Sequence, residues 1–154
     1  MPTTTHIAPP HVTVAMVIER NNAFLMVKEK KQGRFVYNQP AGHVDGNETL
    51  IEAAVRETFE ESAHHCVCTA VLGQYQYTAP DGITYHRTAF IADVIEHDPD
   101  AVLDSDIEEA VWLSYQKIIE LNQKDRLRSP IVLMAIDDYR AGKRYPLELI
   151  GEPR

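Results

Sequence analysis

A layered α/β fold around a mixed sheet is predicted by three features of the chain. Runs rich in β-branched residues alternate with turn residues, one early helix carries its own start signal, and two further helical segments come late. Val12 to Glu19 alternates and is rich in Val and Ile, which reads as a strand. Asn21-Asn22 is a turn, and Ala23 to Lys30 returns as a second strand. Lys31-Gln32-Gly33 breaks the chain again before an extended run from Arg34 to Gln39. Pro40 pushes the residue before it to extended geometry, and Gly42 lets backbone come close to a ligand.

The early helix starts at Thr49. Thr49 and Glu52 form a capping-box pattern, and Asp45-Gly46-Asn47 ahead of them is turn chemistry. With Glu57 as reference, Ile51, Val55, Thr58, Phe59 and Ser62 fall on the opposite side, as an apolar back for docking on a sheet. Leu50, Ala53 and Ala54 fall on the acidic side, where their modest bulk leaves room for something to approach. Cys66 to Thr78 then reads as a long strand, Pro80-Asp81-Gly82 as a hairpin turn and Thr84 to Ile95 as the return strand. Val111 to Leu113 is a short strand, and Ser114 caps a helix through Leu121. Ser129-Pro130 opens a final helix to about Arg140, ended by Gly142.

At 154 residues the chain has the usual length of one domain, expected over residues 11–154 behind a short arm at 1–10. Its 44% hydrophobic and 25% charged residues are ordinary for a soluble protein. No apolar run is long enough to span a membrane, and the first residues lack the pattern of a secretory signal, so the expected location is the cytoplasm. A net charge of −8 argues against nucleic acid as a partner, because that binding needs Lys and Arg to neutralise phosphates. Cys66 and Cys68, two apart on one strand face, are badly placed for a mutual disulfide and read as buried small hydrophobes.

The most informative residues are Glu57, Glu60 and Glu61. Spacings of three and four bring their carboxylates to one helix face, where like charges repel and acids near a C-terminus oppose the helix dipole. A cluster that disfavours its own helix suggests a missing positive partner, and hard divalent cations such as Mg²⁺ take oxygen ligands. A solvated acidic face is the competing reading of such a charge run.

The stretch from Gly42 to His64 resembles the signature of the Nudix hydrolases, G-x5-E-x7-R-E-U-x-E-E-x-G-U, where U is a bulky aliphatic residue. Gly42, Glu48, Arg56, Glu57, Glu60 and Glu61 occupy its fixed places. Thr58 stands at the first U, Ala63 replaces the last Gly and His64 the last U. Either the helix runs on past Ala63 or that residue carries backbone strain. HVTVAMVIE, NQPAGH, DSDI, RSP and RYPLELIG extend the resemblance over nearly the whole chain, most closely toward the NudJ-type phosphatases.

The resemblance implies an α/β/α sandwich and Mg²⁺ as cofactor, with Mn²⁺ a substitute. It implies release of orthophosphate from nucleoside tri- and diphosphates and from hydroxymethylpyrimidine diphosphate. The expected metal ligands are Glu57, Glu60, Glu61 and the Gly42 carbonyl. Glu57 or Glu60 doubles as the base, and Glu48 and Arg56 support the ligands. Asp106 is the expected additional acid from the loop before the Trp112 strand, with an exposed acidic loop as its plain alternative. Arg34, Asn38, Tyr77, Arg87 and Arg128 are the candidate substrate contacts. The wider hairpin face, with Tyr75, Tyr85 and His86, is suited either to stacking a ring or to packing. Three alternatives stay open: a pyrophosphohydrolase leaving pyrophosphate, a ligand-binding Nudix domain without chemistry, and a prenyl-diphosphate isomerase. Preferred substrate and oligomeric state are not set by the sequence.

Overall fold

The computed structural model describes residues 8–153. Most of the expected N-terminal arm, residues 1–7, lies outside them. The chain runs β1 (His11–Val17), β2 (Glu19–Arg20), β3 (Ala23–Lys31), β4 (Arg34–Asn38), β5 (Ala41–His43), α1 (Leu50–Ser62), β6 (His64–Thr78) and β7 (Thr84–His97). β8 (Ile107–Ser114), α2 (Tyr115–Gln123), α3 (Pro130–Arg140) and a 3₁₀ turn (Leu147–Leu149) follow.

One four-stranded sheet has the order β5-β1-β7-β6 and is mixed: β1 and β7 are parallel, and the other pairs are antiparallel. A second sheet is built on β3, with β2 and β4 along one edge and β8 along the other. Period-two alternation sorts side chains of the mixed sheet into two cores. Ala15, Val17, Ala89 and Ile91 join α2 and α3 through Ile118, Leu121, Ile131, Val132, Ala135 and Ile136. Val14, Met16, Phe90 and Ala92 face the other way, onto Ala53 and Ala54 of α1. Helices thus cover both faces, giving the expected sandwich.

Several element ends have local causes. The α1 capping box is formed, with Thr49 and Glu52 exchanging side-chain-to-backbone bonds of 3.1 Å each. Ser114 caps α2 through the Lys117 N–H, whereas Ser129 makes no side-chain cap on α3 and leaves Pro130 to start it. The hairpin closes through the Gly82 N–H on the Ala79 carbonyl, with Gly82 at φ +89°. β8 begins four residues before the expected start at Val111, because exposed Glu108 and Glu109 hide a strand whose backbone pairs with β3.

Helix α1 is seated differently from its sequence reading. Thr58 and Ser62 of the expected back are buried, but so are Ala53 and Ala54 from the acidic side, while Ile51, Val55 and Phe59 are only half-buried. The two alanines allow close approach of α1 to the sheet, and the Ala41 N–H of β5 donates to Glu61 at 2.8 Å. Glu61 is itself buried, so the docking face takes in one edge of the acidic face. α1 ends at Ser62, and Ala63 adopts φ +59°. Of the two outcomes expected at this departure, backbone strain is the one realised. His64 is buried, stacked on His97 with ring centroids 4.2 Å apart and edge-on to Trp112.

Candidate active site

The acidic face of α1 opens onto a cavity of about 420 Å³ between β1, β3, β5, the β6–β7 hairpin, the loop before β8 and the start of α3. Glu57, Glu61 and Asp104 each bring a carboxylate oxygen into a group whose members all lie within 4.8 Å of one another. Burial pushes the Glu61 carboxyl up to about 9; Glu29, Glu57 and Asp104 add like charge, against which the Ala41 N–H favours the ionised form. Glu57 is raised, first by burial and then by Glu60 and Asp104, although Arg56 opposes the rise. Asp104 is raised by burial and by Glu60 and Asp106. Arg56 compensates this charge only in part, and all three offer hard oxygen donors. Such a set fits a divalent cation, whose octahedral shell spans about 4 Å between opposite ligands.

The metal-ligand expectations divide. Glu57 and Glu61 are in the group. The Glu60 carboxylate lies outside it, accepts from Arg56 Nη1 at 3.0 Å and has a side chain 39% exposed. Gly42 lines the cavity, and a β-carbon there would collide with the Glu57 carboxylate, so the glycine makes the space that Glu57 fills. Asp104 enters the group where Asp106 was expected. Its N–H donates to the Glu60 carbonyl at 3.0 Å, which pins the loop to the end of α1. The Asp106 carbonyl instead accepts from the Lys30 N–H as the chain enters β8, although Asp106 still borders the cavity.

Arg56 braces this side. Its Nε and Nη2 grip both oxygens of Glu48 at 2.9 and 2.6 Å, and Nη1 reaches Glu57 at 2.9 Å. Nη2 also donates to the His43 carbonyl at 3.1 Å, tying α1 to β5. The fork holds the Glu48 carboxyl down at about 2, and the guanidinium itself is raised by the same bonds.

Lys31, Arg87 and Arg128 line the same cavity as the acids. Burial pulls Arg87 down to about 10, and Glu29 opposes the shift. Of the expected substrate contacts, Asn38, Tyr77, Arg87 and Arg128 line the cavity, as does Tyr85. Arg34 does not line it and instead donates to the Asp125 carbonyl at 2.5 Å. Tyr75 is buried and donates to Asp138 at 2.8 Å. The sequence reading missed Thr13, Glu29, Lys31 and Asp104. For Glu29 a signal existed, since it sits in register with the buried positions of β3, but flanking lysines made it look solvated.

A family model described as the NUDIX domain matches residues 9–133. The chain belongs to the Nudix hydrolases. Among Nudix relatives, the Phosphatase NudJ of Escherichia coli strain K12 is 41% identical over 143 residues, covering 93% of this chain and 92% of that protein. A solved structure, the NUDIX hydrolase from Nitrosomonas europaea, superimposes with a TM-score of 0.90 at 39% identity, covering 94% of this chain and 98% of that one. The MutT protein from Methanosarcina mazei Go1, at 21% identity and a TM-score of 0.70 over 88% of this chain and 96% of that one, shares the fold. Membership of the hydrolases and similarity to a phosphatase favour hydrolysis over the isomerase alternative. Consistent with that, burial raises the Cys66 and Cys68 thiols to about 11 and about 12, away from reactive thiolate.

Proposed function

We propose that this Nudix hydrolase is a Mg²⁺-dependent phosphohydrolase, with Mn²⁺ as substitute, that releases orthophosphate from nucleoside tri- and diphosphates. Hydroxymethylpyrimidine diphosphate is a further proposed substrate, on the similarity to Phosphatase NudJ, and the cytoplasm is the proposed location. The observation that carries the reading is the group of Glu57, Glu61 and Asp104 oxygens in a cavity that Lys31 and Arg128 also line. In this reading Glu57, Glu61 and Asp104 hold the cation together with the Gly42 carbonyl. When bound, the cation neutralises phosphate oxygens and acidifies water.

The rest is done by side chains of the chain itself. Lys31 and Arg128 draw the outer phosphate oxygens toward the acidic wall, offsetting the repulsion a net charge of −8 would exert. Glu60, outside the three-oxygen group and partly exposed, is the proposed base that takes the proton from the attacking water. Arg56 keeps Glu60 and Glu57 in place while Glu48 holds Arg56.

Product analysis tests the proposal. A nucleoside triphosphate incubated with Mg²⁺ is expected to give orthophosphate first, with none formed in excess chelator. Monophosphate with intact pyrophosphate would replace this reading by a pyrophosphohydrolase. No turnover of any diphosphate or triphosphate would leave a ligand-binding Nudix domain.

A further inference from the structure

Of the described acids, only Glu29 and Glu61 are more than nine-tenths buried. Glu61 has a place in the acidic group, and Glu29 has none. A carboxylate taken out of water needs a partner, because burial penalises its charged form. Arg128 supplies one, with its Nη1 at 3.1 Å from Glu29 Oε1. The Arg128 side chain is 36% exposed against 8% for Glu29. One end of the pair is fixed inside the protein, and the other reaches the open cavity.

Backbone pairing places both partners. Glu29 lies on β3 opposite Val36 of β4. Along the other edge of β4, the Arg128 N–H donates to the Tyr37 carbonyl and the Tyr37 N–H to the Arg126 carbonyl, each at 2.8 Å. Leu127 sits in parallel register with Tyr37 between them. The segment carrying Arg128 is thus laid along the sheet, and its side chain meets Glu29 across β4, both lining the cavity. Arg87 is held otherwise, by the amide oxygens of Asn38 and Gln39 at 3.4 and 3.3 Å.

The pair has a direction. Glu29 Oε1 is sealed from solvent, so an anion entering the cavity meets the guanidinium before that oxygen. Contact with Nη1 leaves the other donors of the guanidinium fork for a second acceptor. A long arginine side chain loses rotamer freedom when it binds an anion, and one already held by a carboxylate has lost part of it beforehand.

We propose that Glu29 is a positioning residue whose buried carboxylate holds the Arg128 guanidinium ready for the outer phosphate of a diphosphate group. The proposal deepens the proposed function and rests on its assignment of the cavity to phosphorylated substrates. Glu29 acts on substrate only through Arg128 and touches neither phosphate nor cation.

Methylenediphosphonate, a diphosphate analogue whose carbon bridge resists hydrolysis, separates binding from turnover. Its calorimetric titration in Mg²⁺ into wild type, Glu29→Gln, Arg128→Gln and the double variant forms a cycle. Arg128→Gln is expected to weaken binding about tenfold, the scale of one lost hydrogen bond to a charged group. Glu29→Gln is expected to lose about fivefold, and the double variant no more than Arg128→Gln alone. Losses that multiply in the double variant, wild-type affinity in Glu29→Gln, or no binding by wild type overturn the proposal. So does a loss of Mg²⁺ affinity beyond about threefold in Glu29→Gln titrated with Mg²⁺ alone, which would make Glu29 a cation ligand. Glu29→Asp keeps the charge on a shorter arm and covers the case of an unfolded Glu29→Gln. It is expected to weaken analogue binding about threefold, and wild-type affinity there overturns the proposal as well. A cycle that holds while no orthophosphate forms from a triphosphate supports the positioning role and strikes only the proposed activity.

Discussion

The two walls of the cavity are built in opposite ways. The acidic wall comes mainly from one turn and a half of α1, with Glu57 and Glu61 at helical spacing and Asp104 hooked to the same helix end by its N–H. The rest of the lining is assembled from residues far apart in sequence: Thr13, Glu29, Lys31, Arg87 and Arg128. A local wall carries its pattern along the chain, whereas a distributed one depends on strand order. In the proposed function the local wall gathers like charge for a cation, and the distributed residues bring charge and hydrogen bonding to a substrate. Reaction and substrate binding are therefore expected to be separable by mutation.

The largest effect should come from the acidic wall. Glu57→Gln and Glu61→Gln are each expected to lower kcat at least 100-fold at saturating Mg²⁺, from loss of an electrostatic contribution of several kcal/mol. Steady-state phosphate release measures this, and near wild-type rates would remove those residues from the metal assignment. A smaller but sharper contrast lies within the loop before β8. Asp104→Asn should lower kcat/KM about tenfold or more, and Asp106→Asn no more than about threefold, because only the Asp104 oxygen reaches the group. Equal losses would erase the distinction between the two acids.

Next in size is a pH effect on metal-free protein. With the folded Glu61 carboxyl at about 9 against 4.5 for an unperturbed one, the native state holds a proton the unfolded chain has shed between those values. Stability in chelator should therefore fall as pH rises from about 5 to 9, and Glu61→Gln should flatten the slope in denaturant titrations. Glu48 acts in the opposite sense: held at about 2, it stabilises above 4.5 and loses that contribution as pH falls toward 2. The smallest effect concerns neither wall. Ala63→Gly relieves a left-handed backbone at φ +59° and should raise stability by up to about 1 kcal/mol in the same titrations, leaving kcat unchanged.

Legibility in the sequence follows the same division. The α1 cap, the clustered glutamates, the hairpin at Gly82 and the start of α3 at Pro130 all rest on neighbours within a few residues, and each was readable. The parallel pairing of β1 with β7 joins positions more than seventy apart, so nothing local placed Thr13 beside Arg87. Asp104 and Asp106 illustrate the limit. Two acids in DSD look alike on paper, and a backbone bond to the Glu60 carbonyl decides which one faces the cluster. The seating of α1 was only partly legible for a related reason: a helical wheel assigns faces by polarity, but the buried sector runs from Ser62 and Thr58 round to Ala53, Ala54 and Glu61.

Gly42 leaves no room for even one more carbon beside Glu57. Adding a methyl group at that point would push the Glu57 carboxylate aside, and turnover is expected to fall although no ionisable group is removed. Gly42→Ala thus displaces the acidic wall without changing its charge, because what it loses is space.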